Sequence, residues 1–194
     1  MTAPRRLPME LTTYAICRRV HDRRFALRPD AALTGLVVWL LAVVSNALGI
    51  EVHAATGMST HMHLVISARN QQASLMMEQL NGQLAKAVNV LRKFRRGILW
   101  PPGELAMVEL KTTEAVVFQM AYAIVNPVAA GLVWSPEDWP GLNLRVHEPG
   151  GGKVRAKRPA FYFRAVAWAE TAVLNAVLPP CLRELGEDVA REMI

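Results

Sequence analysis

Cysteine is nearly missing from this chain. Cys17 and Cys181 are the only two in 194 residues, far apart and in no metal-ligand spacing. That excludes a disulfide framework and a cysteine-based zinc site, and it suits two reduced thiols in a cytoplasmic protein. Acidic residues are also short, 16 against 22 Lys and Arg, which leaves a net charge of +6. Such an excess favours a polyanionic partner without naming it. The opening "MTAPRRLPMELTTY" lacks the apolar region of a signal peptide, so a cytoplasmic, nucleoid-associated location is expected. No internal repeat is visible. A hydrophobic share of 52% with 20% charged residues is the composition of a globular chain able to bury one good core.

What the chain does contain is one long uncharged run, Ala31 to Ile50, around "LVVWLLAVV". Its length matches a bilayer. Thr34, Gly35, Ser45 and Asn46 interrupt it, however, and Asp30 and Gly49 stand where a helix cap and a helix stop belong. A buried core helix is the better reading, with no membrane partner. Strands are expected at Thr12 to Arg19, Ile50 to Thr56 and His61 to Ser67, with a fourth at "AMVELK". Helices are expected from about Ser74 and over "TTEAVVFQMAYAIV". The order β-α-β-β-α-β-α predicts an α+β fold, a ferredoxin-like antiparallel sheet with helices on one face, over residues 1–146. The stretch "HEPGGGKVRAKRP", residues 147–159, reads as a flexible basic linker. Residues 160–194 read as a small appendage with a strand near "AFYFRAV", another near "TAVLNAVL" and a helix after Pro180.

The third strand holds the first candidate site. In "STHMHLVI" the i, i+2 spacing turns His61 and His63 to one face and Met62 and Leu64 to the other. Two imidazoles so placed would chelate a divalent cation, or simply be satisfied at a sheet edge; magnesium would need added oxygen ligands from water or phosphate. In the apolar helix "VVFQMAYAIVNP", Gln119, Tyr122 and Asn126 fall on one stripe. A single polar stripe on such a helix suits the lining of a site. Asn126 also suits a helix N-cap, with Pro127 at the first helical position and Gly131 as a stop.

These segments carry a resemblance. "MSTHMHLVI", then "YAIVNPVAAGLV" and "SPEDWPGL", with the opening "TYAICRRVHDRRFALRPD", look like the REP-associated tyrosine transposases, single-tyrosine HUH proteins with an insertion-sequence-200-like domain. The likeness runs in order over about residues 8 to 145. It implies metal ligation by His61, His63 and Asn126, with magnesium or manganese as the ion, and a nucleophilic Tyr122 acting on single-stranded or hairpin DNA. The family usually has asparagine before the first histidine, where this chain has Thr60. No protein partner is evident. DNA contacts are expected from Arg18, Arg19, Arg23 and Arg24, from Arg92, Lys93, Arg95 and Arg96, and from Lys153, Arg155, Lys157 and Arg158. An inactive nucleic-acid-binding descendant, or a hydrolase using the two histidines, would share most of these features.

Overall fold

A computed structural model of the chain describes residues 11–69, 71–94, 97–103, 105–146, 152–165 and 167–186. Strand β1 spans Thr12–Arg19, β2 Glu51–Gly57, β3 His61–Ala68, β4 Leu105–Glu109 and β5 Asn143–Leu144. They form one antiparallel sheet in the order β4-β1-β3-β2-β5. Helices α1 (Ala31–Leu48), α2 (Gln72–Leu91) and α3 (Thr113–Ala129) cover it. The α+β class and the antiparallel sheet are thus as expected, with the two-residue β5 added at one edge.

Helix α1 begins where Asp30 Oδ1 accepts the Leu33 amide at 2.8 Å and ends at Gly49, whose φ of 63° is cheap only for glycine. Its uncharged length is explained by burial on several sides, against α2, β2 and the C-terminal hairpin. Leu36, Trp39, Leu40 and Leu41 are fully enclosed. Each such side chain contributes roughly 1.5–3 kcal/mol of burial. By length and composition the helix is apolar enough to cross a membrane, but most of its large apolar residues are buried within the protein.

Alternation in β3 divides the molecule into two layers. Met62, Leu64, Ile66 and Ala68 join the large core under α1 and α2. Val65 faces the other way and meets Ala54 of β2 and Val116, Met120, Ala123 and Ile124 of α3. Only α1 and α2 therefore share the expected face. The third helix takes the opposite one, because that face has apolar residues of its own to bury. Its layer is thin, and it leaves β1 and β4 open on that side.

The C-terminal third departs from expectation more. Lys153–Lys157, read as linker, is strand β6, and it pairs with β7 at Thr171–Asn175. In "KVRAK" the cations alternate with Val154 and Ala156, and Ala156 joins the main core. Residues 160–165 form turns and irregular chain instead of a strand, since their aromatic side chains are used in packing: Phe163 and Trp168 close on Trp39 at centroid distances of 4.7 and 5.7 Å. The hairpin lies on α1 and is part of the same hydrophobic body. The helix after Pro180 is present as α4, Pro180–Glu184. The start of the expected linker, residues 147–151, and the chain after residue 186 lie outside the described residues.

Gly152 fastens this hairpin. A Cβ there would stand 2.1 Å from the Arg145 carbonyl oxygen, while the Gly152 carbonyl accepts the Ala176 amide at 2.9 Å. Gly152→Ala is expected to cost about 2 kcal/mol or more by forcing backbone apart. Urea denaturation would check it, and unchanged stability would mean the junction yields freely.

Candidate active site

The open half of the second face holds the candidate site. Antiparallel register sets Cys17 of β1 opposite His63 and Arg19 opposite His61. Side chains of register partners share a face, so an arginine and a thiol join the two imidazoles. The imidazole rings lie 4.7 Å apart, near perpendicular at 85°. From across the layer, Tyr122 of α3 sets its ring edge-on to His63 at 5.4 Å. Histidine pair and phenol, some sixty residues apart in the chain, meet on one face of the sheet.

Each imidazole is held differently. His61 Nδ1 meets the Thr60 hydroxyl at 2.9 Å, and its ring also bonds the Asn126 side chain. Thr60 thus orients the first histidine. His63 Nε2 is buried with no hydrogen-bond partner among the described residues. Burial lowers the proton affinity of both rings, partly opposed at His61 by the Asn126 bond; His63 falls to about 4, with the neighbouring His61 and Arg19 adding to the effect. Both are neutral at pH 7 and able to donate a lone pair.

Asn126 does not cap a new helix. α3 continues through Pro127 to Ala129, and Asn126 lies inside it, 8% exposed. Proline removes one helical N–H, but at the last turn this costs a single bond. Ala130 still donates to the Asn126 carbonyl at 2.9 Å, and Leu132 to Pro127 at 3.0 Å. Gly131 then stops the chain at a φ of 68°.

A cleft of about 240 Å³ opens beside these groups, lined by Cys17, Arg19, His63, Gln119 and Tyr122 among others. Ala15, Ala106 and Ala123 leave the space, because small side chains there cannot fill it. Gln119 and Tyr122 of the predicted stripe line the cleft directly, while Asn126 acts on His61 behind it. A second cleft of about 640 Å³ adjoins along β1, past Arg19 to Arg23 and Gly103.

The residues fit a divalent ion as a partial cage of two neutral imidazoles and one amide. The orphaned His63 nitrogen is the observation that favours it, since a buried unpaired lone pair is costly without a ligand. Among the described residues no group of three or more His, Cys, Asp or Glu is suited to a metal, so further oxygens must come from substrate or water.

The predicted DNA-contacting cations divide. Arg18 bonds the Pro101 carbonyl at 2.9 Å and lies 5.7 Å over Trp100. Arg24 bonds the carbonyls of His21 and Ile98. Arg92 ties Asp30 to the carbonyls of Ala26 and Arg28, and Arg158 holds those of Ala165 and Trp168. These four brace loops. Arg19, Arg23 and Lys93 are exposed. Lys153, Arg155 and Lys157 are exposed too, but on the hairpin over α1, across the sheet from Tyr122. Arg95 and Arg96 lie outside the described residues.

Sequence reasoning placed Arg19 among the DNA contacts but not beside the histidines, and it missed the anchoring by Thr60. The alternation of β1 was a usable signal, but the register that makes Arg19 face His61 is set by long-range pairing.

The fold is similar to that of a REP-associated tyrosine transposase solved bound to a REP hairpin. The match has a TM-score of 0.57 at 19% identity and covers 73% of this chain and 81% of the other. A candidate transposase from Deinococcus radiodurans also matches, at 21% identity over 65% of this chain and 97% of the other, with a TM-score of 0.45. No sequence family and no curated protein matches. The five-stranded antiparallel sheet with its helices is thus a fold like that of a REP-associated tyrosine transposase.

Proposed function

We propose that this protein cleaves and rejoins single-stranded DNA, hairpin-forming DNA in particular, with Tyr122 as nucleophile. The observation that carries this is the edge-on contact of Tyr122 with His63, beside His61. The phenolic oxygen attacks the phosphorus of one phosphodiester. The new Oη–P bond forms as the P–O3′ bond breaks, leaving a 5′-phosphotyrosine and a free 3′-hydroxyl. The phenol loses one proton and the leaving 3′-oxygen gains one. One phosphoester replaces another, so a 3′-hydroxyl can reverse the step without an outside energy source.

His61, His63 and Asn126 would hold magnesium or manganese. When bound, that cation supplies polarisation of the phosphate and stabilisation of transition-state charge. Tyrosine ordinarily ionises near pH 10, so the phenol needs a positive neighbourhood to attack at neutral pH. Its position in the middle of α3 gives no help from the helix dipole. Thr60 and Asn126 fix the His61 ring, and Gln119 offers an amide to the substrate along the cleft. The similar fold solved with a REP hairpin supports hairpin DNA as partner, and a DNA partner supports a cytoplasmic, nucleoid-associated location.

Purified protein mixed with labelled hairpin DNA and manganese tests the reading. A covalent protein–DNA adduct is expected, and Tyr122→Phe should abolish it while leaving hairpin affinity within about threefold, since one hydroxyl contributes little to a phosphate-dominated interface. Salt-sensitive binding without any adduct would instead identify a nucleic-acid-binding module.

A further inference from the structure

Arg19 differs from the arginines that brace the fold. Arg18, Arg24, Arg92 and Arg158 are engaged by backbone carbonyls, and Arg145 and Arg183 pair with Glu137 and Glu51. Among the described residues Arg19 has no carboxylate partner, and it bonds the Cys17 thiol. It ends β1 directly opposite His61 and is exposed. It is also the one charged residue common to both clefts: Tyr122 and His63 line the smaller, Arg23 the larger. Among the residues lining the smaller cleft, Arg19 is the one lysine or arginine.

We propose that Arg19 holds the phosphate under attack, its guanidinium gripping the non-bridging oxygens across the cleft from Tyr122, and that the strand continues along the larger cleft to Arg23. The assignment rests on the transesterification proposed above. A phosphodiester carries one negative charge, and attack by the phenolic oxygen concentrates more on its non-bridging oxygens. A planar, permanently charged fork suits two such oxygens better than a point charge does. No proton moves through Arg19; it stays cationic from ground state to product. Such a guanidinium costs little to recruit, since no ion pair among the described residues must break. The neighbouring turn extends the track: Asp22 and Arg23 take left-handed φ values of 55° and 51°, a conformation that costs about 1–2 kcal/mol per non-glycine residue.

The test uses the full chain, manganese and the hairpin DNA, with the cleaved phosphate mapped and then replaced by an uncharged methylphosphonate. On the normal phosphodiester, Arg19→Gln is expected to slow adduct formation about 100-fold or more, with Arg19→Lys restoring part of the rate. On the methylphosphonate there is less charge to neutralise, and wild type and Arg19→Gln should differ by less than about tenfold. Removing one phosphate contact should also lower the salt dependence of single-strand binding by about 0.7 in log–log slope. Equal rates for wild type and Arg19→Gln overturn the proposal. An equal defect on both substrates also overturns it, leaving Arg19 at most an ordinary backbone contact. Failure of the underlying reading looks different: wild type then forms no adduct at all. In that event the salt slope alone decides whether Arg19 touches phosphate, and an unchanged slope removes that as well.

Discussion

His63→Leu is expected to give a protein that is more stable and catalytically dead. The Nε2 atom of His63 is buried without a hydrogen-bond partner among the described residues, and the ring is neutral because burial drives its proton affinity down. An unsatisfied buried polar atom costs about 1–3 kcal/mol, which an aliphatic side chain of similar size would recover. Allowing for imperfect repacking, His63→Leu should raise the unfolding free energy by about 1 kcal/mol, or the melting temperature by roughly 2–4 °C at this chain length. Adduct formation should fall about a thousandfold or more, the order lost when a preorganised electrostatic contact is removed. His61→Leu should lose activity equally but behave oppositely in the melt. Its ring satisfies Thr60 and Asn126, and deletion leaves both short of a partner. Thermal and urea denaturation of both variants, without metal, separates the cases. A large loss of stability in His63→Leu would sink the idea, for it would make His63 a packing residue instead of a group kept at a cost for ligation.

The same contrast shows what could be read from the chain alone. Local chemistry was legible: Asp30 and Gly49 bound α1 as their types require, and two-residue alternation turned His61 and His63 to one face. Gln119, Tyr122 and Asn126 were legible as one stripe because three polar residues on an apolar helix need a reason. Effects set by distant partners were not. Pro127 signals a break in isolation, yet α3 passes through it because only one bond is lost near the helix end. β5 is two residues long, and it is held by Asn143, which receives the Thr56 hydroxyl at 3.2 Å and donates to the carbonyls of Ile124 and Pro136. No periodicity announces such a strand. In β6 the alternation of "KVRAK" was present but hidden by its charge, and the aromatic residues that looked like a strand serve to cover Trp39. The facing of Arg19 toward His61 belongs to this second class, since it depends on the pairing of strands some forty residues apart.

Stability of the wild-type protein is expected to fall steeply with acid between about pH 6.5 and pH 4, and His53 is a main cause. His53 sits where β2 shifts register, fully buried at the other end of the same sheet face. Its Nδ1 bonds the Val177 carbonyl at 2.7 Å and its Nε2 the Ser67 hydroxyl at 2.7 Å; Ser67 in turn meets Thr13 at 2.8 Å. The ring therefore clasps the C-terminal segment to β2, β3 and β1. Nearby charge comes from Arg183, which is paired with Glu51. Burial lowers the pKa from 6.5 to about 4, with Arg183 adding to it and the Val177 bond opposing. The unfolded chain takes up a proton as pH drops below about 6.5, while the folded one resists until about 4. Stability from this group is thus complete above 6.5, declines through the window and levels off below 4. At about 1.4 kcal/mol per tenfold in proton affinity, the full decline is about 3 kcal/mol. His63 adds a decline of the same sign in metal-free protein. His53→Gln keeps an acceptor for Ser67 but cannot titrate. It should cost about 1–2 kcal/mol at pH 7 through the lost Val177 bond, and then narrow its deficit as pH falls. Urea unfolding at half-unit steps from pH 7 to pH 4 reads both curves. Parallel curves would mean that His53 protonates as readily in the folded chain as in the unfolded one, and the clasp would then be too loose to exclude water.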